Sequence, residues 1–214
     1  NTIVNKDGKL TAYNTDYYGF IYSLKINEIS LKDKVVMILG TGGTSKTIQA
    51  VCESLEVKKV HIVSRTSKNE FIDYDTAIKQ KDVEVIINAT PSGMYPHNEE
   101  CPIDIANYPH LEAVVDVIYN PLKTNLILDA EKNEIKTANG LLMLVAQAKF
   151  AADKFLDKVL DDNLILPIYQ NMLKDYQNIV LIGMPSSGKS TIALALSKIF
   201  NKQFVDIDEV IETN

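Results

Sequence analysis

The sequence predicts an α/β protein built on a doubly wound parallel sheet, followed by the first βαβ of a second α/β unit. Three observations carry that prediction. Short apolar runs of strand length alternate along the chain with stretches of helical periodicity. The runs at residues 35–39 and 178–182 each empty into a glycine-rich loop that opens a helix. The runs at 83–89 and 114–119 end in proline-containing turns, as expected at the carboxyl edge of a parallel sheet.

In chain order, residues 1–4 and 10–13 flank Asn5-Lys6-Asp7-Gly8, whose Asp-Gly pair marks a hairpin. Asn14-Thr15-Asp16 then opens a helix that runs through Leu24. Asp16 reads either as a helix-terminal carboxylate favoured by the dipole or as a group that orients a substrate or a catalytic neighbour. The strand at 35–39 leads into Gly40-Thr41-Gly42-Gly43-Thr44-Ser45 and a helix carrying Ile48, Val51 and Leu55. A helix N-terminus freed of Cβ atoms binds a pyrophosphate through its backbone N–H groups, and this is the Rossmann-like arrangement. Gly40 makes the tight turn and Gly42 allows close approach, while Ser45 stands where a third glycine is expected. A second strand, 57–63, ends at Ser64-Arg65-Thr66-Ser67-Lys68. An acidic residue there would meet a free ribose 2′-hydroxyl. A guanidinium among hydroxyls suits a 2′-phosphate instead and tips the cofactor towards NADP.

After the strands at 83–89 and 114–119 come a short helix at 126–130, a strand at 134–137 and a long helix from Asn139-Gly140 to about Leu156. On that helix Gly140, Met143, Leu144 and Gln147 share a face, so Gln147 is either a satisfied core amide or a substrate contact. Residues 161–176 read as a connection between domains. The strand at 178–182 runs into Gly183-Met184-Pro185-Ser186-Ser187-Gly188-Lys189-Ser190-Thr191, a complete P-loop pattern before a helix at 192–199. Gly183, Ser186, Ser187, Gly188 and Thr191 would cradle the phosphates of ATP, with Lys189 on the β/γ oxygens and Ser190 on Mg²⁺. Asp206 and Asp208 follow at a strand end, one placed for metal and the other for a substrate hydroxyl.

Composition narrows the field. The chain has 214 residues, 46% hydrophobic and 23% charged, with net charge -6, which argues against a nucleic-acid partner. No apolar run approaches the roughly 18 residues of a membrane span, and no signal peptide opens the sequence. Cys52 and Cys101 suit a reducing cytoplasm, a bridge between them staying open. Beginning at Asn1 and stopping just after an acidic cluster, the chain reads as a piece of a longer polypeptide.

Several motifs together resemble shikimate dehydrogenase, in order, from Asn1 to about Phe155. They are Asn1-Thr2-Ile3, Asn14-Thr15-Asp16 with Gly19, Gly40-Thr41-Gly42-Gly43 and Ser64-Arg65-Thr66. Asn88-Ala89-Thr90-Pro91-Ser92-Gly93-Met94, Asp116 with Tyr119, Pro121 and Thr124, and the helix from Gly140 to Gln147 complete the set. From Asn178 the chain looks like the opening of shikimate kinase, so the whole resembles part of a bifunctional enzyme of chorismate and aromatic amino acid biosynthesis. The resemblance divides it into the end of a substrate domain (1–24), an NADP-binding domain (25–160), a linker (161–176) and a P-loop segment (177–214).

The same resemblance implies residue roles. Asp16 is the carboxylate of a catalytic Lys–Asp pair, its lysine expected upstream of Asn1. Asn1, Asp16, Tyr119 and Gln147 contact shikimate or 3-dehydroshikimate, and Asp208 contacts substrate in the kinase part. Gly40, Thr41, Gly42, Gly43 and Thr44 hold the pyrophosphate; Ser64, Arg65 and Thr66 the 2′-phosphate; Thr90, Ile118, Gly140 and Met143 the remainder of NADP. Ser64 departs from the family's usual Asn, and Lys68 lies one residue from its second basic position. A quinate/shikimate dehydrogenase using NAD, or a nucleotide-binding piece without catalysis, are the alternatives.

Overall fold

The structure, a computed structural model, describes residues 1–66 and 71–213, the side chains of 212 and 213 aside. It divides into two compact units, Asn1–Lys174 and Asp175–Asn214. The first opens with an antiparallel hairpin of β1 (Thr2–Lys6) and β2 (Lys9–Tyr13), in register Thr2 to Tyr13. Asp7 (φ 51°) and Gly8 (φ 83°) both adopt positive φ, which the two-residue turn of such a hairpin requires. Helix α1 (Thr15–Ile26) then leads to a sheet of six parallel strands.

These strands are β3 (Val35–Leu39), β4 (Lys59–Val63), β5 (Phe71–Ile72), β6 (Val85–Asn88), β7 (Ala113–Asp116) and β8 (Lys136–Ala138). Their order is β5-β4-β3-β6-β7-β8, with β3 at the centre and buried along its length. Side chains alternate between the faces because the strand period is two. Val36, Ile38, Val85, Ile87 and Val115 pack beneath α1, α2 (Gly43–Ser54) and Met143 of α5 (Gly140–Leu156). Val35, Met37, Leu39, Ile86 and Val114 pack beneath α3 (Tyr74–Ala77) and α4 (Asn125–Lys132) on the other face. Burying each such side chain contributes roughly 1.5–3 kcal/mol. Winding reverses between β3 and β6, which leaves a crevice outside their carboxyl ends.

Residues 161–176, expected as a connection, hold a 3₁₀ turn at Asp162–Leu164 and helix α6 (Ile165–Tyr176). Ile165, Tyr169 and Met172 of α6 pack on Leu142, Val145 and Ala146 of α5, the apolar face that makes this stretch helical. Buried Lys149 of α5 ties the turn down, donating to Asp153 at 2.9 Å and Asp162 at 2.6 Å. Burial works against its charge, but the two carboxylates together hold its pKa above the usual lysine value.

The second unit contains α7 (Lys189–Phe200) and α8 (Ile207–Thr213). Among the described residues, the strands expected at 178–182 and before Asp206 do not form, which corrects the expected βαβ. Val180 and Ile182 are 71% and 90% exposed. A strand lacking sheet neighbours leaves its backbone groups to water and buries too little to offset its ordering entropy.

Candidate active site

The glycine loop lies at the sheet's point of reversal. Gly40 sits at φ +103° just after β3, and a Cβ there would stand 2.9 Å from Thr90 Cγ2 in the loop that follows β6. The loops of β3 and β6 therefore touch across the crevice, and only glycine fits the first. Gly42 precedes α2 and Gly43 begins it. A Cβ built on either meets nothing within 4 Å, so the space beside the helix start is open. That is a cradle for a diphosphate. Thr41 is exposed and Thr44 half-buried beside it, whereas Ser45 is buried and accepts from Gln49 at 3.1 Å, so it belongs to the helix and not to the cradle.

One strand over, Ser64 is anchored through its N–H to the Ile72 carbonyl (2.9 Å). It leaves Arg65 and Thr66 exposed at the end of β4. Tyr74 lies close enough for the Arg65 charge to act on it, although burial dominates and raises its phenol pKa. Lys68, together with Ser67, lies outside the described residues.

At the other side of the glycine loop, α1 begins, and three of the expected substrate contacts, Asn1, Asp16 and Gln147, converge there, Tyr119 not being among them. Asn1 Nδ2 lies 2.8 Å from Asp16 Oδ1, 2.9 Å from Thr15 Oγ1 and 3.2 Å from Gln147 Oε1. Asn1 Oδ1 accepts from the Thr15 N–H at 2.8 Å, and the Thr15 hydroxyl reaches Gln147 Oε1 at 3.2 Å. Asp16 lies in the first turn of α1 but caps nothing; its side chain turns to Asn1. Gln147 comes within reach because α1 and α5 cross at Gly19, where a Cβ would stand 2.7 Å from the Met143 carbonyl oxygen. Thr15, fully buried and read from the sequence only as part of the helix start, is the member of this cluster that is not among the expected substrate contacts.

The floor of the crevice is a second polar group. Asn88 and Asp116 end β6 and β7 in register. Asp116 accepts from Asn88 Nδ2 (3.1 Å), the Ile118 N–H (3.0 Å) and the Thr124 hydroxyl (2.7 Å). Burial raises its pKa against these donors. Asn88 Oδ1 in turn accepts from the Thr90 hydroxyl at 2.6 Å. The network fixes the turn carrying buried Ile118 and exposed Tyr119. The Gly140 N–H donates to the Ile118 carbonyl at 2.9 Å, and a Cβ on Gly140 would overlap the Val117 carbonyl. Met143, mostly buried, follows one turn along α5. Asn88, Asp116 and Thr124 are legible in the sequence as members of the motifs that carry the family resemblance, and Asn88 and Asp116 also as polar residues within otherwise apolar runs.

In the second unit, Gly188 (φ +83°) precedes α7 with open space where a Cβ would point. Lys189 Nζ donates to the carbonyls of Gly183 (2.9 Å) and Met184 (2.8 Å), closing the loop on itself. Ser186 (φ 62°) and Ser187 form the loop, and Thr191 follows in the first turn of α7. Ser190 Oγ lies 3.4 Å from Asp206 Oδ2, and the Asp208 N–H donates to Asp206 Oδ1 at 3.2 Å. No group of three or more His, Cys, Asp or Glu able to hold a metal occurs among the described residues. A Mg²⁺ at Ser190 and Asp206 would complete its shell with phosphate oxygens and water.

A parallel sheet with a glycine cradle at its reversal, and a carboxylate–carboxamide cluster at the mouth, defines a Rossmann-like dinucleotide-binding protein. Its sequence is 39% identical to an NADP(+) shikimate dehydrogenase of Caldicellulosiruptor saccharolyticus, covering 81% of this chain and 68% of that protein. The chain belongs to the shikimate dehydrogenase family. A second such relative, from Clostridium beijerinckii, is 37% identical over 79% of this chain and 66% of its own length. A chorismate mutase/shikimate 5-dehydrogenase fusion from Clostridium acetobutylicum has a similar structure, with TM-score 0.77 at 30% identity over 81% of this chain and 66% of that one. The chain thus spans about two thirds of the length of the curated relatives it matches. No family model matches it. No helix among the described residues is long and apolar enough to cross a membrane.

Proposed function

We propose that the chain forms the cofactor-binding part of an NADP-dependent shikimate dehydrogenase, which interconverts 3-dehydroshikimate and shikimate. The convergence of Asn1, Asp16 and Gln147 beside the glycine cradle carries this reading. NADPH, when bound, supplies a hydride to the ring carbonyl carbon. The N–H groups from Gly42 to Thr44 hold its pyrophosphate, with Gly40 and Thr41 shaping the turn. Arg65, with Ser64 and Thr66, takes the 2′-phosphate. Thr90, Ile118, Gly140 and Met143 would bound the nicotinamide end, where the buried Ile118 and Met143 side chains exclude water, and exposed Tyr119 would contact the substrate. Asn1 and Gln147 orient the substrate's hydroxyls. Asp16 positions the lysine that the family resemblance implies, and that lysine hands its proton to the carbonyl oxygen.

Replacing Asp16 with Asn keeps the shape and removes the charge. Measured in the full-length enzyme, this change is expected to lower kcat by ~10²–10⁴-fold with NADPH affinity nearly unchanged. Turnover at the wild-type rate with a lowered melting temperature would instead make Asp16 a helix-terminal residue only.

For the second unit we propose a shikimate kinase-like role, with ATP phosphorylating shikimate. Lys189 would face the β/γ oxygens, Ser190 and Asp206 Mg²⁺, and Asp208 the accepting hydroxyl. Its support is the complete P-loop pattern together with the Ser190–Asp206 approach. Use of NAD in place of NADP is disfavoured by Arg65, which would then lack a partner.

A further inference from the structure

Asn14 occupies the N-cap position of α1 in an extended conformation, yet its side chain makes no capping hydrogen bond. Elsewhere Asp73, Asp104, Thr124, Asn139 and Asp161 each accept from the backbone of the helix or turn they precede. Asparagine is among the better N-caps, so its use for something else calls for a reason. Its Nδ2 donates to Thr47 Oγ1 on α2 at 2.9 Å. The Thr47 hydroxyl passes its own hydrogen to the Gly43 carbonyl at 3.3 Å. One hydroxyl donates once and accepts up to twice, so both bonds hold together. Thr47 is almost fully buried, whereas Asn14 lies at the rim. The relay thus runs from the first residue of α2, on the phosphate cradle, to the residue just ahead of Thr15 and Asp16.

We infer that Asn14 is a positioning residue that links the glycine cradle to the Asp16 cluster through Thr47, so that filling the cradle with a dinucleotide orders the start of α1. This rests on the dinucleotide reading above. Pyrophosphate bound at Gly42–Thr44 restrains the Gly43 peptide. The restraint reaches Asn14 through two hydrogen bonds and there favours the backbone in which Thr15 and Asp16 meet Asn1 and Gln147. Cofactor and substrate sites are then coupled by a short physical path and not by proximity alone.

Amide hydrogen exchange with and without NADPH tests the link on the chain itself. In the wild type, NADPH is expected to slow exchange at residues 41–48 and also at 15–18. In Thr47→Val, which keeps the shape and loses the hydroxyl, the slowing at 15–18 should fall by about fivefold, one neutral hydrogen bond's worth, while that at 41–48 persists. Thr47→Ser should restore it. Asn14→Asp, which can cap but cannot donate, should behave as Asn14→Ala, and adding Thr47→Val to either should do no further harm. Equal slowing at 15–18 in wild type and Thr47→Val would overturn the relay. So would NADPH binding weakened by Asn14→Ala but untouched by Thr47→Val, since Asn14 would then touch the cofactor directly. No slowing at 41–48 in the wild type at saturating NADPH would remove the dinucleotide reading itself, a different result.

Discussion

At the scale of single residues, the proposed 2′-phosphate site turns on one charge at a strand end. Arg65 is exposed at the end of β4 with Thr66 beside it. A charge-assisted hydrogen bond to a 2′-phosphate is worth roughly 1.5–3 kcal/mol. Arg65→Ala should therefore weaken NADP(H) binding by that amount and leave NAD(H) binding almost alone, as titration of the two cofactors would reveal. Equal losses would sink the assignment. His61 on β4 makes a different prediction. It is 8% exposed, and its Nε2 has no hydrogen-bond partner among the described residues. Burial first, and the nearby Lys59 charge second, lower its pKa below 6.5. The unfolded chain then binds the proton more readily, so stability is complete above about pH 6.5 and is lost as pH falls from there through the folded value. Thermal unfolding midpoints of His61→Phe should show a shallower decline between pH 7 and 5 than the wild type. Parallel declines would mean that His61 takes no part.

At the scale of elements, the crossing of α1 and α5 determines whether Gln147 can reach the Asp16 cluster. The two helices meet at Gly19 with no room for a side chain. Gly19→Ala would place a Cβ 2.7 Å from the Met143 carbonyl oxygen and 3.0 Å from the Gln147 amide nitrogen. These are backbone atoms, so the helices must part. Overpacking of this kind costs roughly 1–3 kcal/mol. The gain in helix propensity from Gly to Ala, roughly 1 kcal/mol at most, offsets only part of it. A lowered denaturant midpoint is expected, with shikimate affinity of the full-length enzyme falling as Gln147 draws back. An unchanged or raised midpoint would show that the crossing tolerates a methyl group.

At the scale of the whole molecule, the two units differ in what holds them. The first has a six-stranded sheet covered on both faces, while the second has helices, a glycine-containing loop with a P-loop sequence pattern, and a stretch of exposed apolar residues. Amides of Val180 to Ile182 should exchange at close to the rate of unstructured chain, while those of Val36 to Leu39 are protected to the level of global unfolding. ATP with Mg²⁺ should bind weakly, because the P-loop's N–H groups converge only when the preceding strand is fixed. Comparable protection of the two stretches would refute this.

Local chemistry made much of the first unit legible. Apolar runs located the strands of the sheet to within a few residues, apart from Phe71–Ile72, which is too short to show a period. Asp7-Gly8 marked its hairpin and the glycine loop marked its cradle, because these features depend on a residue and its immediate neighbours. The P-loop pattern likewise placed α7, yet the same reasoning drew a strand at 178–182 that does not form. An apolar run becomes a strand only when another strand accepts its hydrogen bonds, and that is not a local property. The meeting of Asn1 with Gln147, 146 positions apart, also belongs to the tertiary structure. So do the Asp116 network and the Asn14–Thr47 bond. Each joins side chains whose partners are chosen by how helices and strands pack, and a linear pattern records which residues can hydrogen-bond but not which ones the fold brings together.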